Sequence, residues 1–204
     1  MVLTAVLLFV AAYLVGAIPT GYIVTKLFFR TDVREHGSGN IGFTNVLRTV
    51  GVLGGFAVLF VDAGKGFAVS YFLPSLLGQE SLFRLALGIT VILGNIFTPF
   101  LGFKGGKGVG TGLGVALAVS PFSVIFAVSG FTAVVLATRF VSLGSLVGAA
   151  VYLASNAVFY LKGAGDAYSL LFAIIFFIAV VVRHVSNIRR LLRGEENKIG
   201  FKRR

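Results

Sequence analysis

Apolar segments of about the length that crosses a lipid bilayer recur along this chain, and little polar surface is left over to coat a water-soluble globule. A crossing helix needs roughly 20 mostly apolar residues, and residues 2–25, 52–77, 82–101, 141–161 and 168–182 each qualify. No basic region precedes the apolar core of the first, which reads as a retained span rather than a cleaved signal peptide. The segment 105–138 is different, because about 34 residues make a helix of about 50 Å, too long for one crossing. Ser120-Pro121 lies inside it, and the residue before a proline is biased away from helix. Dividing it there predicts seven spans. Only 12% of the residues are charged, about half the share of a soluble domain, so most of the outer surface must face lipid.

The 18 Lys and Arg against 7 Asp and Glu give a net charge of +11. In a soluble protein such an excess suggests nucleic acid; in a polytopic one it belongs in short loops and tails, where it fixes orientation and attracts anionic head groups or substrates. Seven spans place Lys26, Arg30, Arg34, Arg48, Lys104, Lys107, Arg139 and the basic C-terminus on one side. The other side receives only Arg84 and Lys162, with Glu80 and Asp166. Six spans would move Arg139 and the tail across and erase most of this asymmetry. The expected architecture is therefore an all-α polytopic membrane protein with seven transmembrane helices, its N-terminus outside and its C-terminus cytoplasmic. A single integral-membrane domain over 1–204 is expected, with glycine pairs such as Gly110/Gly114 and Gly144/Gly148 allowing close helix packing. The absence of cysteine excludes disulfides, thiolate metal sites and a cysteine nucleophile, and two distant histidines argue against a histidine metal cluster.

The polar residues gather in three clusters, all on the predicted cytoplasmic side. The first joins Gly37, Ser38, Gly39, Asn40, Gly42, Thr44, Asn45 and Arg48. Its G-x-G-x-x-G spacing means dinucleotide binding only inside a βαβ unit, which two membrane spans do not supply. What survives is an anion cradle: glycines expose backbone N–H groups, the hydroxyls and amides offer hydrogen bonds, and Arg48 adds a bidentate cation. The second cluster, Lys104, Gly105, Gly106, Lys107, Gly108 and Thr111, fails the P-loop spacing. It is still a lysine-glycine loop opening into a helix, where free N–H groups and the helix dipole would face a phosphate. The third contains His184, Asn187, Arg190 and Glu196, with His184 and Asn187 three apart and so on one face of a helix. Each cluster also has a plainer reading: a polar loop of turn residues, a flexible basic loop serving orientation only, and a juxtamembrane helix binding anionic lipid. Asp62 and Lys65, inside the second span, read as an internal ion pair supporting the site, with a proton relay as the alternative.

These clusters, in this order and in a chain of this length, resemble the bacterial glycerol-3-phosphate acyltransferases that use acyl phosphate as donor, the PlsY family. The resemblance rests on Ser38 to Asn45 with Arg48 and Gly51, on Lys104 to Val109 with Thr111, on His184, Asn187, Ile188, Arg190, Leu191, Leu192, Gly194 and Glu196, and on the Asp62 to Lys65-Gly66 spacing. Phe43 and Gly110 stand where the family pattern has a small residue, usually alanine. The resemblance implies transfer of a fatty acyl group from acyl phosphate to the 1-position of sn-glycerol 3-phosphate. The products would be lysophosphatidate and inorganic phosphate, an early step of phospholipid synthesis at the cytoplasmic face of the bacterial cytoplasmic (inner) membrane. It implies no cofactor, no metal and no nucleic-acid partner. Ser38, Arg48, Lys104, His184 and Asn187 would be catalytic; Gly39, Asn40, Gly42, Thr44, Asn45, Gly105, Gly106, Lys107, Gly108 and Thr111 would bind substrate and phosphate; Asp62, Lys65, Arg190 and Glu196 would support them. The acyltransferases with a histidine followed five positions later by aspartate are not matched, since Ile41 follows His36 and Arg189 follows His184 at that spacing. A small membrane transporter for an anionic metabolite is the alternative reading of glycine-rich helices with an intramembrane Asp62 and Lys65.

Overall fold

A computed structural model describes residues 2–78 and 80–200; the end of the basic tail, residues 201–204, lies outside them. Among the described residues the chain is helical, with no strand, and it falls into two compact units, one ending at Val119 and the other beginning at Ser120.

The first unit contains α1 (Val2–Ala17), α2 (Thr20–Phe29), α3 (Phe43–Val50), α4 (Val52–Phe72), α5 (Glu80–Ile96) and α6 (Val109–Val119). The expectation of one continuous helix over residues 2–25 is corrected here: α1 and α2 meet at a 42° bend. Pro19 has no N–H to give the ladder, and its ring crowds the preceding turn, so the helix stops and restarts. Side chains from elsewhere take the carbonyls at the break. Thr98 Oγ1 donates to Ala17 O at 2.6 Å and Lys65 Nζ to Ile18 O at 2.8 Å. Two helix crossings depend on absent side chains. A Cβ at Gly16 or Gly94 would strike the backbone of α5 or α1, and one at Gly66 or Gly114 the backbone of α6 or α4.

The second unit contains α7 (Pro121–Thr138), α8 (Val141–Leu161), α9 (Ala167–Arg183) and α10 (Val185–Leu192). The break before Pro121 falls where the sequence places it. Gly144 and Gly148 let α8 press against Phe131 and Ala127 of α7. Tyr152 meets the stacked Phe172 and Phe176 rings edge-on across α8 and α9. Asp166 caps α9, its Oδ1 accepting from the N–H groups of Tyr168 and Ser169 at 2.8 and 3.0 Å.

Among the described residues four helices are long and apolar enough to cross a membrane, or six if each bent pair, α1–α2 and α9–α10, is one span. The apolar α6 has 11 residues, about 16 Å of helix against a hydrocarbon core of about 30 Å. Leu53, Phe60, Phe122 and Leu136 are 80, 71, 71 and 77% exposed, so the outer faces of both units are apolar, as contact with lipid requires.

Candidate functional site

The first cluster forms a closed loop between α2 and α3. Asp32 caps a single 3-10 turn, Val33–Glu35, accepting from Arg34 N at 3.0 Å and from the Arg34 side chain at 2.9 and 2.7 Å. That guanidinium, which also lies 4.6 Å over the Tyr22 ring, outweighs burial and holds the Asp32 carboxyl down to about 2. Gly37 and Gly39 follow with φ of 58° and 70°, left-handed conformations that glycine adopts without penalty. A Cβ on Gly37 would also strike Asn45 Oδ1.

The two asparagines of this cluster act on the loop itself. Asn45, buried in α3, accepts from Ser38 N at 3.0 Å and donates to Val33 O and His36 O at 3.1 and 2.9 Å. Asn40 Oδ1 accepts from Gly42 N at 2.9 Å, while its Nδ2 reaches Gly105 O of the second cluster at 3.5 Å. Thr44 and Arg48 are half-buried in the first and last turns of α3, and Ser38 is exposed on the loop. Val33, Ile41, Val46 and Val58 form the apolar floor beneath them.

The second cluster folds back onto the end of α5. Successive N–H groups are taken in doing so: Gly102 donates to Pro99 O, Phe103 to Thr98 O, Lys104 to Leu101 O, Gly105 to Ile96 O and Gly106 to Asn95 O. Of the expected open row of glycine N–H groups, those of Gly102, Gly105 and Gly106 are therefore committed to the loop's own fold. The short-range reason is that Gly105 lies against the Asn95 and Ile96 carbonyls, where any Cβ would clash. What this segment presents to an anion is the exposed Lys104 side chain, the half-buried Lys107 and the first turn of α6. Thr111, in that turn, is fully buried with its carbonyl against Gly66 of α4.

Asp62 and Lys65 are both buried and paired at 2.7 Å. The Lys65 ammonium also donates to Ile18 O and Thr20 Oγ1, each at 2.8 Å, and Thr20 Oγ1 donates to Asp62 Oδ1 at 2.8 Å. A buried ion pair is tolerated when its remaining hydrogen-bonding capacity is met in this way. Neither Thr20 nor Thr98 stands out in the sequence. The readable signal was Pro19, which frees carbonyls in an apolar setting that polar side chains must then satisfy.

The third cluster is organised within the second unit. His184 caps the helix that carries Asn187, and the chain bends by 58° there, between α9 and α10. The cause is local: His184 Nδ1 takes Val180 O at 2.8 Å, and the His184 N–H shifts to Val181 O at 3.0 Å. A carbonyl only accepts, so Nδ1 carries a proton, and a neutral ring holds its lone pair at Nε2. Asn187 Nδ2 donates to Glu196 Oε1 at 2.8 Å, Ser142 Oγ to the same oxygen at 2.9 Å, and Arg190 Nε to Oε2 at 2.7 Å. Burial raises the Glu196 carboxyl, but these three donors outweigh it and hold the group below its ordinary value. Ser142 was not singled out by sequence. The structure thus joins the first two clusters in one unit and orders the third in the other.

A family model described as glycerol-3-phosphate acyltransferase matches residues 6–194. Among similar proteins, the glycerol-3-phosphate acyltransferase of Geobacter sulfurreducens is 43% identical over 198 residues, covering 97% of this chain and 96% of the relative. That of Staphylococcus carnosus is 39% identical, covering 95% and 97%. Two crystal structures of PlsY (YgiH), an integral membrane glycerol 3-phosphate acyltransferase, superpose closely. The glycerol 3-phosphate form has a TM-score of 0.87 at 37% identity, covering 96% of both chains. The lysophosphatidic acid form has a TM-score of 0.84 at 35% identity, covering 96% of this chain and 95% of the other.

Proposed function

This chain belongs to the PlsY family of glycerol-3-phosphate acyltransferases, and from that premise we propose that it moves a fatty acyl group from acyl phosphate to the 1-position hydroxyl of sn-glycerol 3-phosphate. Membrane acyltransferases of this family serve phospholipid synthesis. The glycerol oxygen attacks the acyl carbonyl, the bond from carbonyl carbon to phosphate oxygen breaks, and the hydroxyl proton leaves on the phosphate. The products are 1-acyl-glycerol 3-phosphate and inorganic phosphate.

The observation that carries this reading is the meeting of the first two clusters, where Asn40 of the serine-arginine loop reaches Gly105 of the lysine loop. Both substrates are anionic, and an acyl phosphate is already activated, so the protein's work is to hold two phosphates together and stabilise developing charge. Arg48 and Lys104, aided by Lys107, neutralise phosphate charge. The Ser38 and Thr44 hydroxyls orient phosphate oxygens and the glycerol. Gly39, Gly42, Gly106, Gly108 and Thr111 shape the two loops around them. His184 and Asn187 bind glycerol 3-phosphate in this reading, the histidine through Nε2. The whole chain acts as one domain with seven crossings, α6 supplying the seventh. Its N-terminus is outside, and its site and C-terminus are at the cytoplasmic face of a bacterial cytoplasmic membrane.

The proton goes to the phosphate of the donor rather than to His184 in this reading. A His184→Gln variant should keep substantial turnover at saturating substrates, and a loss of kcat rescued at high pH would overturn that step. Product analysis should give the 1-acyl isomer from acyl phosphate, with acyl-CoA unable to replace the donor; equal rates with acyl-CoA would overturn the donor assignment. The competing idea, a transporter for an anionic metabolite, draws on the intramembrane charges. Their bonds to Thr20 and Ile18 tie them to a helix break instead.

A further inference from the structure

We propose that Thr20, with Lys65 and Asp62, forms a polar latch that fixes the α1–α2 break and thereby positions the two loops that hold substrate phosphate. The latch rests on the acyltransferase reading above and names a positioning residue outside the polar clusters. Three buried side chains meet there: Thr20, Asp62 and Lys65 are 5, 7 and 9% exposed. Four contacts of 2.7–2.8 Å connect them to one another and to Ile18 O, so the ammonium has three oxygen partners. A helix interrupted by proline inside an apolar bundle bends freely unless its released groups are tied down. Here the tie comes from α4.

The latch touches both loops through glycines. Thr20 opens α2, and the next residue, Gly21, lies directly against the Ile41 carbonyl, between Asn40 and Gly42 of the first loop. On the other side, a Cβ on Gly110, in the first turn of α6 just after the lysine loop, would come within 3.3 Å of Asp62 Cβ. A shift of α2 relative to α4 therefore moves Ile41 and, with it, the Asn40 contact to Gly105. Interiors this tightly packed transmit such displacements rather than absorb them.

Thr20→Val keeps the side-chain shape and removes the hydroxyl, while Thr20→Ser keeps the hydroxyl. Amide hydrogen exchange on the full-length protein in detergent is read alongside steady-state kinetics. Thr20→Val should raise KM for glycerol 3-phosphate about tenfold, with kcat changed less than about threefold, consistent with losing one partner of a buried charge. Exchange of residues 36–45 should accelerate about tenfold while α7, α8 and α9 stay as in the parent. Thr20→Ser should restore both readings to within about twofold. An unchanged KM in Thr20→Val, exchange that rises evenly in both units, or a Thr20→Ser variant as impaired as Thr20→Val would each overturn the latch. If the parent protein does not turn over acyl phosphate, the acyl-transfer reading fails alone, and the exchange result still decides the latch.

Discussion

The two units solve the same problem, filling a membrane with helix, in opposite ways. The second packs three long helices through glycine contacts and an aromatic cluster, and holds its buried carboxylate, Glu196, beyond its last helix. The first breaks a helix at Pro19, buries an ion pair inside α4 and folds two loops whose backbone is bonded largely to itself. Regular packing gives stability cheaply. Irregular backbone is tolerated in a membrane only where protein satisfies its polar groups, and in the first unit Thr98 and Lys65 do this for the carbonyls at the Pro19 break.

That contrast breaks most sharply at the phosphate cations. Arg48→Ala or Lys104→Ala in the first unit should lower kcat/KM by about 1,000-fold or more while circular dichroism and thermal unfolding stay near the parent. A comparable loss of helicity would show these residues to be structural. In the second unit the reverse is expected. Glu196→Ala removes the acceptor shared by Asn187, Ser142 and Arg190 and should lower stability by about 2 kcal/mol, read as a reduced unfolding midpoint in detergent. An unchanged midpoint would contradict a stabilising role for the Glu196 hydrogen bonds.

Acid sharpens the comparison further. Asp32 falls from 3.8 to about 2 in the folded state. Its contribution is complete above pH 3.8 and is lost as the pH drops through about 2. Exchange at Arg34 to His36 should therefore rise across that window, and Asp32→Asn should abolish the dependence. Glu196 behaves with the same sign, since its folded value also lies below the ordinary one. The smallest effect is expected at Phe43, which packs edge-on against Phe56 at 5.4 Å, with Phe60 following at 6.2 Å. Phe43→Ala removes a contact worth about 1 kcal/mol and should change the preference between long and medium acyl phosphates several-fold. Identical chain-length profiles would show that the ring does not face the acyl chain.

Much of this is legible in the sequence alone. Hydropathy located residues 141–161 as a helix with the same bounds it has in the structure, and Ser120-Pro121 marked the division before α7. Ile18-Pro19 carries the same signal, but the apolar run on either side of it continues without a charge. The Asp62–Lys65 ion pair is legible from its spacing, but its partners Thr20 and Ile18 are distant in sequence and share no periodicity with it. The roles of Asn40 and Asn45 were hidden for a different reason. An amide beside glycines reads equally as a ligand for phosphate or as a clamp on the loop, and its contacts to Val33, His36 and Gly105 follow no spacing that the sequence displays. The same holds for the glycine N–H groups of the lysine loop, whose occupancy depends on how far the chain folds back onto α5.

The most direct test is phosphate release by purified protein supplied with a long-chain acyl phosphate, with and without sn-glycerol 3-phosphate. Release that depends on glycerol 3-phosphate, matches lysophosphatidate formation one for one and disappears in Lys104→Ala is the predicted result. No release from acyl phosphate, or release indifferent to glycerol 3-phosphate, would contradict the account.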